Sequence, residues 1–364
     1  MNEAPWQWKT FCPAFARVWN GFFHAPVELR VVGCLRIVYA AIVLVNAAAF
    51  FPYLEMWFGE AGVFPRSIAA ELSDPQQLSL FHWLPATEGV LWTGYTLFVV
   101  HAVLLLVGYC PRINALGTYV WLLSFQHRSQ FLWDGEDQVM RLVGFYLLFM
   151  PLHRIWAWDW RLRPSASAAT EPISGWGLRL LQLQMCIIFL DTAGSKLHGS
   201  MWQDGTALYY ASRLDDFFCP DCVPHFLYNT PWIVRLLTWS VLALEFCVPV
   251  LVWFKETRRT ALIAAVVFHL GCMVSMNLFL FHPIMLCGWM AFLTREDFEW
   301  LGRCCTSALG FRSAKACAYR VKADTGANAP PSAFSNSPPQ CFAPSRCHRA
   351  WCGPSCSPTW CWSH

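Results

Sequence analysis

Val31–Phe51 reads VVGCLRIVYAAIVLVNAAAFF, with Arg36 as its single charge. A helix rises about 1.5 Å per residue, so about 20 apolar residues cross a hydrocarbon core in which the backbone must satisfy its own hydrogen bonds. The stretch has that length, and no regular polar face that would let it lie against water. Runs of the same character recur at about 89–108, 111–126, 138–152, 177–194, 231–253 and 260–276. The apolar region from Thr260 to Leu293 is too long for one span, and Asn277, His282 and Pro283 interrupt it, so it divides into two short or tilted helices. The sequence therefore predicts an all-α integral membrane protein, a polytopic bundle of about eight transmembrane helices over residues 31–293.

Composition agrees with this reading. Of 364 residues 56% are hydrophobic and 13% charged, and the net charge of +3, held in short loops, points to no nucleic-acid partner. Many of the 21 tryptophans stand near the ends of apolar runs (Trp57, Trp83, Trp133, Trp156, Trp202, Trp232), as interface anchors do. Residues 1–30 contain Lys9, Arg17 and Arg30 among aromatics and no continuous apolar core of a signal peptide, which predicts a retained cytoplasmic or interfacial segment. Residues 294–364 form a third region. It is rich in Cys and Pro, poor in aliphatic residues, and expected to be disordered; the gaps among Cys347, Cys352, Cys356 and Cys361 fit no common zinc pattern.

If the amino terminus is cytoplasmic, Arg112, the group His153, Arg154, Arg161 and Arg163, the cluster Lys255, Arg258 and Arg259, and Arg295 with Arg303 all fall inside. Loops 52–88, 127–137 and 195–230 then face outward. The expectation is a cell (inner) membrane protein with both termini cytoplasmic.

Polar residues inside spans are costly and so mark glue between helices or chemistry. Arg36 stands near the start of the first span and reads as a snorkelling side chain or a ligand contact. Glu136 and Asp137 open the fourth span with Arg141 a turn inside, an i,i+4 ion pair or a carboxylate group tuned by crowding. Asp191 and Lys196 end the fifth span, followed by Trp202 and Asp204; a lysine where water thins can lose its proton and act as a base. Glu245 lies inside the sixth span, four residues before Pro249, and His269 inside the seventh. Cys219 and Cys222 have the spacing of a short loop disulfide.

Taken in order, Arg36–Tyr39, Gly108–Ile113, Trp133–Asp137, Trp156–Asp159, Ala193–Leu197, Trp202–Gly205 and Phe268–His269 resemble the horizontally transferred transmembrane (HTTM) domain family, which includes the membrane part of vitamin K-dependent gamma-carboxylase. The resemblance implies an eight-helix domain with an active site on the extracytoplasmic side. It implies a catalytic base at Lys196, with His269 as the family's helix histidine; Glu136 and Asp137 complete the candidate catalytic set, and Arg36, Arg141, Asp191, Trp202, Asp204 and Glu245 are the candidate substrate contacts. Reduced vitamin K or another quinol is the implied cofactor, and a protein or peptide the implied substrate. Two departures stand out: Glu136 occupies the place of a carboxylase histidine, and no large lumenal domain follows the spans. Quinol-linked oxidation or carboxylation is therefore weighed against a non-catalytic membrane protein or transporter.

Overall fold

In the computed structural model the described residues are 8–72, 77–129, 132, 134–158 and 175–304; Trp133, Arg161, Arg163 and the cysteine-rich tail from residue 305 lie outside them. A first helix, α1 (Trp8–Phe23), precedes the long α2 (Leu29–Phe50). Two short helices follow, α3 (Leu54–Phe58) and α4 (Arg66–Leu72). Then come α5 (Glu88–Val107), α6 (Pro111–Arg128), α7 (Gly135–Leu147) and α8 (Trp176–Leu197). Short α9 (Ser200–Gln203), α10 (Ala207–Ala211) and α11 (His225–Asn229) lead to α12 (Pro231–Leu251), α13 (Arg258–Ser275) and α14 (Phe281–Trp289), which a 3-10 turn extends to Phe292.

Local chemistry sets these boundaries. Glu28 caps α2 by accepting the Arg30 N–H, and Thr87 caps α5 by accepting the Val90 N–H. Gly108, at φ +79°, closes α5: its N–H bonds Leu105 O while the Tyr109 N–H reaches Leu104 O, a Schellman arrangement. Pro111 and Pro231 occupy first turns, where their missing N–H costs nothing. Asp134 and Asp137 form a capping box on α7.

Helices stand at all eight places where spans are expected, but among the described residues only Leu29–Phe58, Glu88–Val107, Pro231–Leu251 and Arg258–Ser275 are long and apolar enough to cross a membrane by that test alone. The others differ for a physical reason. In α6, Asn114, Thr118, Ser124, Gln126 and His127 are buried, so its polar side chains lower its hydropathy while facing protein. Helix α7 has 13 residues, about 20 Å of helix.

Helix α2 is central, with 61% of its apolar window buried against 22% for α13, and it packs on α5, α7 and α14. Helix α8 packs on α12, and α13 on α12 and α14. Phe246, Val250, Ile263, Val267 and Val274 leave α12 and α13 with exposed apolar faces, which suits a lipid surround. The segment between α2 and α5 is fastened over one end of the bundle. Buried Arg128 donates to Phe64 O (2.9 Å) and Phe58 O (3.1 Å), and Ser79 donates to Ser124 O. Cys219 and Cys222 are joined by a disulfide in the loop after α10.

Candidate functional site

Near the end of the bundle where α8 finishes, the Lys196 ammonium pairs with Glu245 Oε1 from α12 and sits 5.0 Å from the Trp202 ring centroid, within cation–π range. The lysine side chain keeps 25% of its exposure while that of Glu245 keeps 7%, so the carboxylate is the buried member. Its Oε2 is buried with no hydrogen-bond partner. Cys272, on α13, lies within electrostatic range of both charges.

One turn from Cys272, His269 meets His282 of α14, with Nδ1 to Nδ1 at 3.1 Å. Both rings are almost fully buried, at 1% and 2% exposure. In neutral rings one Nδ1 must carry the proton and the other accept it. The donor ring then has a bare Nε2 and the acceptor ring an Nε2–H. Both Nε2 atoms are buried without a partner, as is Trp289 Nε1. Phe189 joins these groups, its ring centroid 5.9 Å from His269 and 4.7 Å from Trp289. Among the described residues no group of three or more His, Cys, Asp or Glu is placed to hold a metal, so the histidine contact reads as a hydrogen bond.

Glu136, at the start of α7, approaches the same region through its Oε1, which accepts the Leu280 N–H two residues before His282 at 3.5 Å, a long bond. Asp137 is engaged elsewhere. Its Oδ1 accepts from Gln126 (2.8 Å) and its Oδ2 from the Asp134 N–H (3.2 Å). Arg141 lies 3.0 Å from His127 Nε2, and His127 Nδ1 lies 2.8 Å from Leu78 O; together these bonds set His127 as an Nδ1–H tautomer with a bare Nε2.

The remaining candidates are apart from this cluster. Arg36, fully buried, donates from Nη2 to Trp156 O (2.7 Å) beside the turn at Gly108, at the opposite end of the bundle. Asp191 and Asp204 are exposed. The structure thus brings Lys196, Glu245 and Trp202 together, sets His269 next to His282 with Glu136 nearby, and leaves Arg36, Arg141, Asp191 and Asp204 outside. His282 and Cys272 went unrecognised in the sequence; a histidine beside a proline within an apolar run was the available signal for the first.

An all-helical protein with membrane-type helices and paired polar side chains between them is the class these features define. The chain belongs to the HTTM domain family, whose model matches residues 25–298. The uncharacterized protein YitO of Bacillus subtilis strain 168 is 28% identical over 204 residues, 54% of this chain and 64% of YitO. The sporulation-delaying protein SdpB of the same organism is 25% identical over 174 residues, 46% of this chain and 53% of SdpB. The chain thus covers less than two thirds of either relative. No solved structure matches.

Proposed function

We propose that the protein spans the cell membrane with eight helices, both termini cytoplasmic, and that the end bearing Lys196 is extracytoplasmic and carries out a quinol-linked oxidation or carboxylation. The observation that carries the proposal is a set of unpartnered buried polar atoms: His269 Nε2 and Trp289 Nε1 on rings that contact Phe189, His282 Nε2 on the ring paired with His269, and Glu245 Oε2 in the lysine–glutamate pair. Buried polar atoms normally have partners. A flat, largely apolar ring with two oxygens matches this set, because Phe189 and Trp289 offer π faces and the histidine pair offers one donor and one acceptor. Bound there, a quinol would supply two electrons and two protons. The Lys196–Glu245 pair can pass a proton from ammonium to carboxylate without changing its net charge, which leaves a neutral amine as a base. The histidine pair can relay a proton: as the shared Nδ1 proton crosses, the donor ring takes up a proton at its bare Nε2 and the acceptor ring releases its own Nε2 proton, which leaves both rings neutral with their roles exchanged. The Cys219–Cys222 disulfide supports the extracytoplasmic assignment, since such bonds persist in oxidising compartments.

A second reading is favoured by the pairing itself. Lys196 with Glu245 and Arg141 with His127 join helices to one another as polar glue does, which suits a non-catalytic relative of the sporulation-delaying protein. Purified protein incubated with reduced vitamin K, oxygen and bicarbonate separates the two. The proposal predicts quinol consumption at least roughly 100-fold lower in Lys196→Ala than in wild type, the scale of a lost general base. Equal rates, both at the level of buffer alone, would contradict it.

A further inference from the structure

At the end of the bundle opposite the Lys196 pair there is a cavity of about 370 Å³, bounded by the starts of α8 and α13 and the ends of α12 and α14. Arg179 and Lys196 both belong to α8, 17 positions apart, which is about 26 Å along its axis. One part of the cavity wall is apolar, with Leu178, Val252, Trp253 and Phe292; another part carries Arg179 and Arg258.

Among the described residues neither arginine is bonded to a carboxylate. Arg179 donates from Nε to Phe22 O (3.2 Å) and from Nη1 to Gln182 Oε1 (2.9 Å), and Arg258 donates from Nε to Val252 O (3.2 Å). The nearby acids are already engaged: Glu28 with Arg30, Glu299 with Arg295, and Asp297 with Arg259 and Thr294. Glu28 and Arg295 also line the recess, each held in its own ion pair, so Arg179 and Arg258 share it with only neutral acceptors as their hydrogen-bond partners, an arrangement an anion would relieve. We infer that this cavity binds the phosphate headgroup of an anionic lipid, with the guanidinium groups of Arg179 and Arg258 on the phosphate oxygens and an acyl chain along Leu178, Val252 and Phe292. Arginine suits phosphate through its planar fork of donors. The apolar wall gives an amphiphile the advantage over a free anion.

Native mass spectrometry of the full chain in detergent tests this with phosphatidylglycerol, zwitterionic phosphatidylcholine and inorganic phosphate as probes. Wild type should retain phosphatidylglycerol at least tenfold more tightly than phosphatidylcholine. The Arg179→Gln/Arg258→Gln variant should lose most of that difference, and the Arg179→Lys/Arg258→Lys variant, which keeps the charge but not the fork, should keep part of it. Equal retention of the two lipids by wild type would overturn the inference even if the glutamine variant fails to fold. So would undiminished phosphatidylglycerol binding in a folded glutamine variant. Binding of inorganic phosphate as tight as that of phosphatidylglycerol would reassign the recess to a free anion and overturn the lipid site.

Discussion

Lys196 and Glu245 come from helices 49 positions apart, and each depends on the other. Removing only the lysine leaves a buried carboxylate unpaired, whereas replacing both with apolar groups removes the need for pairing. Lys196→Met is expected to lower stability by about 2 kcal/mol, below the roughly 3–5 kcal/mol of a fully buried pair because the lysine is partly exposed. Lys196→Met/Glu245→Leu should recover most of that loss in thermal unfolding in detergent, and a double variant as unstable as the single one would count against a buried pair. The polar members of this site are legible one by one, because a charge or histidine inside an apolar run stands out. Their partners are not, since no periodicity links residue 196 to 245 or 269 to 282. Asp137 shows the converse. The spacing to Arg141 suggests an ion pair, yet the carboxylate oxygens accept from Gln126 and from the Asp134 N–H, because the first turn of α7 needs acceptors for its free N–H groups.

At the scale of elements, the turn between α5 and α6 depends on Gly108. A Cβ there would collide with Arg36 Nη1 and come within 2.8 Å of the Ala157 backbone, at a φ that side chains disfavour. Gly108→Ala should cost about 2–4 kcal/mol from left-handed strain and overpacking together, read as a lowered unfolding midpoint; an unchanged midpoint would show that this end of the bundle is loose. The start of α2 makes a different prediction. The Arg30 guanidinium and N–H bonds hold the Glu28 carboxyl below its usual range despite some opposing desolvation. A lowered folded value means that Glu28 contributes stability above its ordinary titration range and loses it as pH falls through the lowered one. Glu28→Gln should therefore be less stable than wild type at pH 7, and the difference should close on acidification; a gap that widens in acid would reverse the sign. Helix positions were readable because each apolar run has a length near that of a membrane span. The division of Thr260–Leu293 into two helices was readable too, but the break falls between Ser275 and Phe281, so His282 and Pro283 open α14 instead of interrupting a span.

For the molecule as a whole, the exposed faces of α12 and α13 carry Phe246, Val250, Ile263, Val267 and Val274, a surface that water disfavours and lipid accepts. Two polar assemblies lie at opposite ends of α8: the Lys196–Glu245 pair beside the histidines, and the recess with Arg179 and Arg258. The alternation of basic and acidic loops was visible in the sequence, while the convergence of five helices on Lys196 and the histidine pair needed the folded chain. The account depends on those ends lying on opposite sides of a bilayer. Epitopes inserted after Asp204 and after Arg258, probed with an impermeant antibody before and after opening the membrane, test this most directly. The account predicts that the Asp204 epitope is accessible from outside the intact membrane and the Arg258 epitope only after opening; both epitopes on one side, or a protein that remains in the soluble fraction, would contradict it.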